Sequence, residues 1–214
     1  MRRLPVFLLL DTSGSMKGEP IESVKVGLQM LLASLRQDPF ALESVYLCII
    51  TFDREVRILL PLQGLENFQL PDVQTPESGP THMGAALEVL CESVDAEVRK
   101  NTGDQKGDWR PLLFLMTDGS PSDIKKYREM VPEVKKRNFG AIVACAAGTK
   151  AREEYLLELT DRQNVVSLDT TDAVAFRQFF KWVSASISTG NMSMGATGQV
   201  VLPPPPPEMH HAAV

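Results

Sequence analysis

The chain has 214 residues, 43% of them hydrophobic and 23% charged, with a net charge of −5. That length suits one sizeable domain with a short appendage, and the mild acidity excludes an electrostatic footprint for nucleic acid or an anionic membrane. Three cysteines, Cys48, Cys91 and Cys145, lie far apart among apolar neighbours, which argues for buried reduced thiols and against a disulfide framework or zinc ribbon.

Arg2 and Arg3 precede an apolar run of only Val6 to Leu10, too short for a signal-peptide core or a membrane span. No other stretch is long enough, so a cytoplasmic protein is expected. Val6–Leu10 reads as a strand buried on both faces and stops at Asp11-Thr-Ser13-Gly-Ser15. Ile21, Val24, Leu28, Leu31, Leu32 and Leu35 predict an amphipathic helix with Pro20 in its first turn. Val45–Phe52 is a second buried strand. A tight connection at Asp53-Arg-Glu leads to an antiparallel edge strand, Val56–Leu60, ended by Pro61.

Four prolines between 61 and 80 make a long irregular connection, a kind of loop that is usually functional. Met83, Leu87, Leu90, Cys91, Val94 and Val98 predict the next helix, and Leu112–Met116 a third central strand that runs into Thr117-Asp118-Gly119-Ser120. Ser122 or Asp123 caps a further helix that Pro132 is expected to kink or restart. Ala141–Ala146 and Val165–Leu168 read as strands, Glu153–Leu159 as a short helix and Ala173–Ile187 as the closing helix. Alternating strands and helices predict an α/β layer fold with a mostly parallel sheet and helices on both faces, occupying residues 1–189. Residues 190–214, without periodicity and with a proline run at 203–207, read as a flexible tail contributing little to folding; His210 and His211 lack further metal ligands.

In a parallel sheet, ligands bind at the carboxyl ends of the strands. Three oxygen-bearing clusters are expected to converge on that rim: Asp11-Thr-Ser13-Gly-Ser15, Ser78-Gly-Pro-Thr81 and Thr117-Asp118-Gly-Ser120. Hydroxyls and carboxylates without cysteine or histidine describe a hard-cation site for Mg²⁺ or Mn²⁺. Lysine spacing for a phosphate loop is missing, as is the glycine framing of a nucleophile elbow. His82 beside Thr81 reads as incidental. The competing enzyme reading is a Mg²⁺-dependent phosphohydrolase with Asp11 as nucleophile, although such sites commonly carry a second carboxylate where Ser13 stands. For one cluster alone, helix capping would suffice; three on one edge favour a metal.

Asp11-Thr-Ser13-Gly-Ser15, Thr81 and Asp118-Gly119 resemble the metal-ion-dependent adhesion site (MIDAS) of von Willebrand factor A domains, over about residues 4–188. The resemblance implies a six-stranded sheet with one antiparallel edge strand. It also implies a cation approached directly by Ser13, Ser15 and Thr81, with Asp11 and Asp118 often acting through water. Such an ion takes a carboxylate from an Asp or Glu of a partner protein, so the protein is expected to bind rather than catalyse. The wording MRRLPVFLLLDTSGSM, SGPTHMGAAL, MTDGSPSD and VLPPPPPE looks like the bacterial TerY branch of tellurium-resistance and stress operons. That implies a scaffold beside a Ser/Thr kinase and a phosphatase. Close approach of Asp11 and Asp118 further implies that Asp118→Ala stabilises the metal-free protein by relieving repulsion.

Overall fold

A computed structural model describes residues 2–67, 69–76, 79–197, 200–207 and 209–211. Its strands follow the apolar runs: β1 (Leu4–Asp11), β2 (Val45–Phe52), β3 (Val56–Gly64), β4 (Leu112–Thr117), β5 (Ala141–Ala147) and β6 (Val165–Leu168), joined by β7 (Met209–His211). They form one sheet in the order β3-β2-β1-β4-β5-β6-β7. The five central strands are parallel, while β3 and β7 are antiparallel edges. The α/β three-layer fold is therefore the expected one, with seven strands rather than six and two antiparallel edges rather than one.

Residues of β1 alternate between two cores, as the period of a strand requires. Leu4, Val6, Leu8 and Leu10 pack with helices α1 (Glu19–Gln37) and α6 (Ala173–Thr197), whose Leu28, Leu31, Phe176, Phe179 and Val183 are buried there. Phe7 and Leu9 face α3 (Met83–Glu97), α4 (Ile124–Lys136) and α5 (Glu153–Leu159), through Leu87, Leu90, Tyr127, Val134 and Leu156. A short helix, α2 (Pro39–Ser44), capped by Asp38, is an element the sequence reading did not contain. The three cysteines are buried and free. No helix among the described residues is long and apolar enough to cross a membrane.

Two proline expectations change. Pro61 does not end β3, because the register between β2 and β3 slips there: Ile49 pairs with Leu60 and Leu47 with Gln63. An edge strand with a bulge accommodates a residue that cannot donate to the ladder. Pro132 lies inside a continuous α4 on its exposed side, where water can satisfy the carbonyl left without a donor.

The larger change concerns residues 190–214. Helix α6 continues to Thr197, burying Asn191 and Met194. Val200 and Leu202 pack against the α1/α6 core, and the Trp182 indole donates to the Pro203 carbonyl at 3.1 Å. Met209, only 4% exposed, pairs with Leu168 as β7 closes the β6 edge. The described part of the segment is thus a strap across one sheet edge. Leaving β6 open would expose an unpaired ladder.

Candidate metal centre

β1 and β4 are neighbours, and the chain runs from β1 to β2 on one side of them and from β4 to β5 on the other. Asp11 ends β1 and Asp118 follows the last residue of its neighbour β4, at the switch point where parallel sheets bind ligands. The clusters at Asp11–Ser15 and Thr117–Asp118 meet there. The Asp11 carboxylate accepts from the Ser13 backbone N–H at 2.8 Å and from Thr117 Oγ1 at 2.5 Å. Ser13 Oγ and Ser15 Oγ lie 3.2 Å apart, and Ser15 Oγ donates to Asp118 Oδ1 at 2.8 Å. Asp11, Ser13 and Asp118 are buried, while Ser15 stands at the solvent edge. Asp11 is 0% exposed, deeper than the rim position expected of it.

Thr81 arrives from the proline-rich loop, 7% exposed. A methyl group built on Gly119 would lie 3.6 Å from Thr81 Oγ1, which sets that hydroxyl beside the Asp118-Gly119 turn. Its position is stapled by Ser122, whose Oγ accepts from Thr81 N at 3.0 Å and whose N–H donates to Thr81 O at 2.8 Å. Ser78, the other hydroxyl of that cluster, lies outside the described residues. His82 turns elsewhere, its ring Nδ1 bonding the Arg54 carbonyl at 2.9 Å.

Thr81 is not the cap of α3. The Asp123 carboxylate takes that role from another loop, accepting from Gly84 N at 2.9 Å and Ala85 N at 2.8 Å. Asp123 precedes α4 yet makes no side-chain cap for it. Its real effect is to tie the start of α3, and with it Thr81, to the loop after β4. Asp53 does similar work from β2, accepting from Thr12 Oγ1 at 3.0 Å and from Arg57 at 3.1 Å. Neither support is implied by the spacing of Asp53 or Asp123 in the sequence. The available signal was that Asp53, like Asp118, directly follows a buried strand at the same sheet edge.

Burial pushes the Asp11 carboxyl up to about 6, against the hydrogen bonds of Thr117 and Ser13, with the Asp118 charge a minor contributor. Burial likewise raises Asp118, opposed by Ser15 and by the Lys150 charge. Desolvation rather than mutual repulsion therefore strains the pair, so any gain from Asp118→Ala in metal-free protein has desolvation as its cause. The sign for Asp11 follows: stability is present below its ordinary value of 3.8 and lost as pH rises through about 6. Metal-free protein should lose on the order of 3 kcal/mol relative to Asp11→Asn across that interval. Parallel melting curves for the two proteins at every pH contradict this.

The donors fit a hard divalent cation. Asp11 and Asp118 are buried carboxylates, and the Ser13, Ser15 and Thr117 hydroxyls adjoin them, all oxygen donors.

This fold and this cluster define a class. The von Willebrand factor type A domain family matches residues 6–181, and the chain belongs to it. Proximal thread matrix protein 1 from the mussel byssus is similar at 17% identity and a TM-score of 0.67, covering 87% of this chain and 48% of that one. Another structure of the mussel protein, with a zinc-occupied MIDAS motif, gives 16% identity and 0.66, again over 87% of this chain and 48% of that one. A von Willebrand factor type A protein from Catenulispora acidiphila gives 14% and 0.69, covering 88% of this chain and 43% of that one. At such identities the likeness is one of fold, and the chain spans less than half the length of these proteins. No curated protein sequence matches the chain.

Proposed function

We propose that the protein is a metal-dependent interaction module in which Asp11, Ser13, Ser15, Thr81 and Asp118 hold a divalent cation, Mg²⁺ or Mn²⁺, that captures a carboxylate from an Asp or Glu of a partner protein. The observation that supports it best is the meeting of the Ser13–Ser15–Asp118 chain of contacts with Thr81 beside Gly119 at one switch point. When bound, the cation supplies a positive charge that neutral hydroxyls leave under-compensated. The chain's own residues do the rest: Thr117 and the Ser13 amide fix the Asp11 carboxylate, and Ser122 and Asp123 fix the Thr81 loop. Both Asp11 oxygens are engaged and the side chain is fully buried, which speaks against its use as a phosphohydrolase nucleophile.

The resemblance to the TerY branch extends the proposal: the module serves a cytoplasmic bacterial stress complex of the tellurium-resistance type, with a Ser/Thr kinase and a phosphatase as partners. The support for this is the wording of residues 1–16, 78–87, 116–123 and 201–208. Capture of a kinase or phosphatase from bacterial lysate by the tagged chain in Mg²⁺, and its release by EDTA, is the expected result. Capture indifferent to EDTA overturns the metal-dependent reading.

Thr81 offers a finer test. Among the described residues its hydroxyl makes no hydrogen bond, and α3 is capped by Asp123, so Thr81→Ala should lower the melting temperature little. It should weaken Mg²⁺ binding modestly and partner capture more, because Ser13, Ser15 and the aspartates remain. Full partner retention in Thr81→Ala removes Thr81 from the site.

A further inference from the structure

A polar cleft of about 290 Å³ adjoins the cluster. Ser15 and Asp118 form one wall, and Thr149 and Lys150 of the β5–α5 loop face Asp169 and Thr171 of the β6–α6 loop. Gly148, at φ 76°, turns the chain out of β5, and its N–H donates to Leu168 O at 2.8 Å, holding the two loops together. Only glycine takes that backbone conformation without strain.

Lys150 is the one cation lining this cleft among the described residues, and it is exposed. It makes no hydrogen bond or ion pair among them, yet its charge reaches Asp118. The other charged group on the far wall, Asp169, has an oxygen 3.4 Å from His210 Nε2 of the strap. An ammonium with three donors therefore stands unused beside a site of acceptors.

A carboxylate brings two oxygens and about four acceptor positions. With one oxygen on the cation, the second would enter the polar cleft, where a charged donor makes the stronger hydrogen bond. We propose that Lys150 takes the second oxygen of the captured carboxylate, so that the site reads an acidic side chain through two points, cation and ammonium, and rejects the neutral amide. This rests on the metal-dependent reading above.

The two roles of Lys150 have opposite signs. Without ligand, its charge repels the cation in the same cleft; with a carboxylate present, both attract it. Full-length parent, Lys150→Met and Lys150→Arg are titrated with Mg²⁺ by calorimetry. Each Mg²⁺-loaded protein is then titrated, by amide NMR shifts, with a blocked glycine peptide carrying one central aspartate or asparagine.

Lys150→Met should bind Mg²⁺ at least as tightly as the parent and the aspartate peptide about tenfold more weakly, with Lys150→Arg restoring most of that loss. The asparagine peptide should bind the parent no better than the aspartate peptide binds Lys150→Met. Equal aspartate-peptide affinity in parent and Lys150→Met overturns the Lys150 contact alone. A parent that binds no Mg²⁺ overturns the metal reading beneath it. A Mg²⁺-loaded parent that ignores the aspartate peptide overturns carboxylate capture and the Lys150 contact together.

Discussion

A chain ending at Thr189 is expected to lose most of its stability, melting more than about 10 °C below the full chain. Met194 and Met209 are 2% and 4% exposed, and Val200 and Leu202 lie partly buried on the α1/α6 core. Fully burying one such side chain contributes about 1.5–3 kcal/mol, so together the four contribute about 5 kcal/mol, even with two only partly covered. The cut also removes the buried bond from Asn191 to Ser44 Oγ at 2.7 Å, uncovers Trp182 and leaves the β6 edge unpaired. Domains are stable by about 5–15 kcal/mol, so this loss is a large share of the whole. Melting within a few degrees of the full chain would return the segment to the role of a peripheral tail.

Gly84→Ala should be nearly as damaging, for a different reason. A Cβ at Gly84 would sit 2.3 Å from Tyr127 N and 2.7 Å from the Lys126 carbonyl carbon, backbone atoms of α4 that no rotamer change can move. Helices α3 and α4 must separate, which also pulls Gly84 N and Ala85 N away from Asp123. The expected cost is about 3 kcal/mol, or roughly 6–12 °C in melting temperature. Mg²⁺ affinity should fall with it, since Thr81 is positioned through the same contact between loops. A folded Gly84→Ala protein with parental melting and parental Mg²⁺ affinity would show that this junction does not position the site.

What the sequence made legible follows the range of the forces involved. Strands β1, β2, β4 and β6 and helix α5 are marked by continuous apolar runs or a helical period, both local signals that survive without knowledge of the fold. Helix α2 is too short to display a period, and β3 passes Pro61 only because its partner strand shifts register. The strap escaped because three residues of β7 carry no pattern, and what holds Val200, Leu202 and Met209 is contact with residues far away in the chain. Proline composition signals an unladdered backbone but says nothing about whether Trp182 waits to bond it.

The site divides the same way. The proposed ligands Asp11, Ser13, Ser15 and Asp118 draw notice because buried apolar runs lead straight into them, and Thr81 because a long proline-rich loop delivers it just before α3. The supports Ser122, Asp123 and Asp53 draw no such notice, since each acts on atoms far away in the chain: Thr81, the first turn of α3 at Gly84 and Ala85, and Thr12 respectively. Nothing in their spacing announces those partners.

The most direct test of the account is Mg²⁺ calorimetry on the parent beside Asp11→Asn, Ser13→Ala and Asp118→Ala, each checked for an intact fold by circular dichroism. Asparagine is used at position 11 because alanine would leave Thr117 Oγ1 and the Ser13 amide without their buried acceptor. One Mg²⁺ should bind per parent chain, and that binding should be lost in all three folded variants. Parental Mg²⁺ affinity in all three would contradict this expectation.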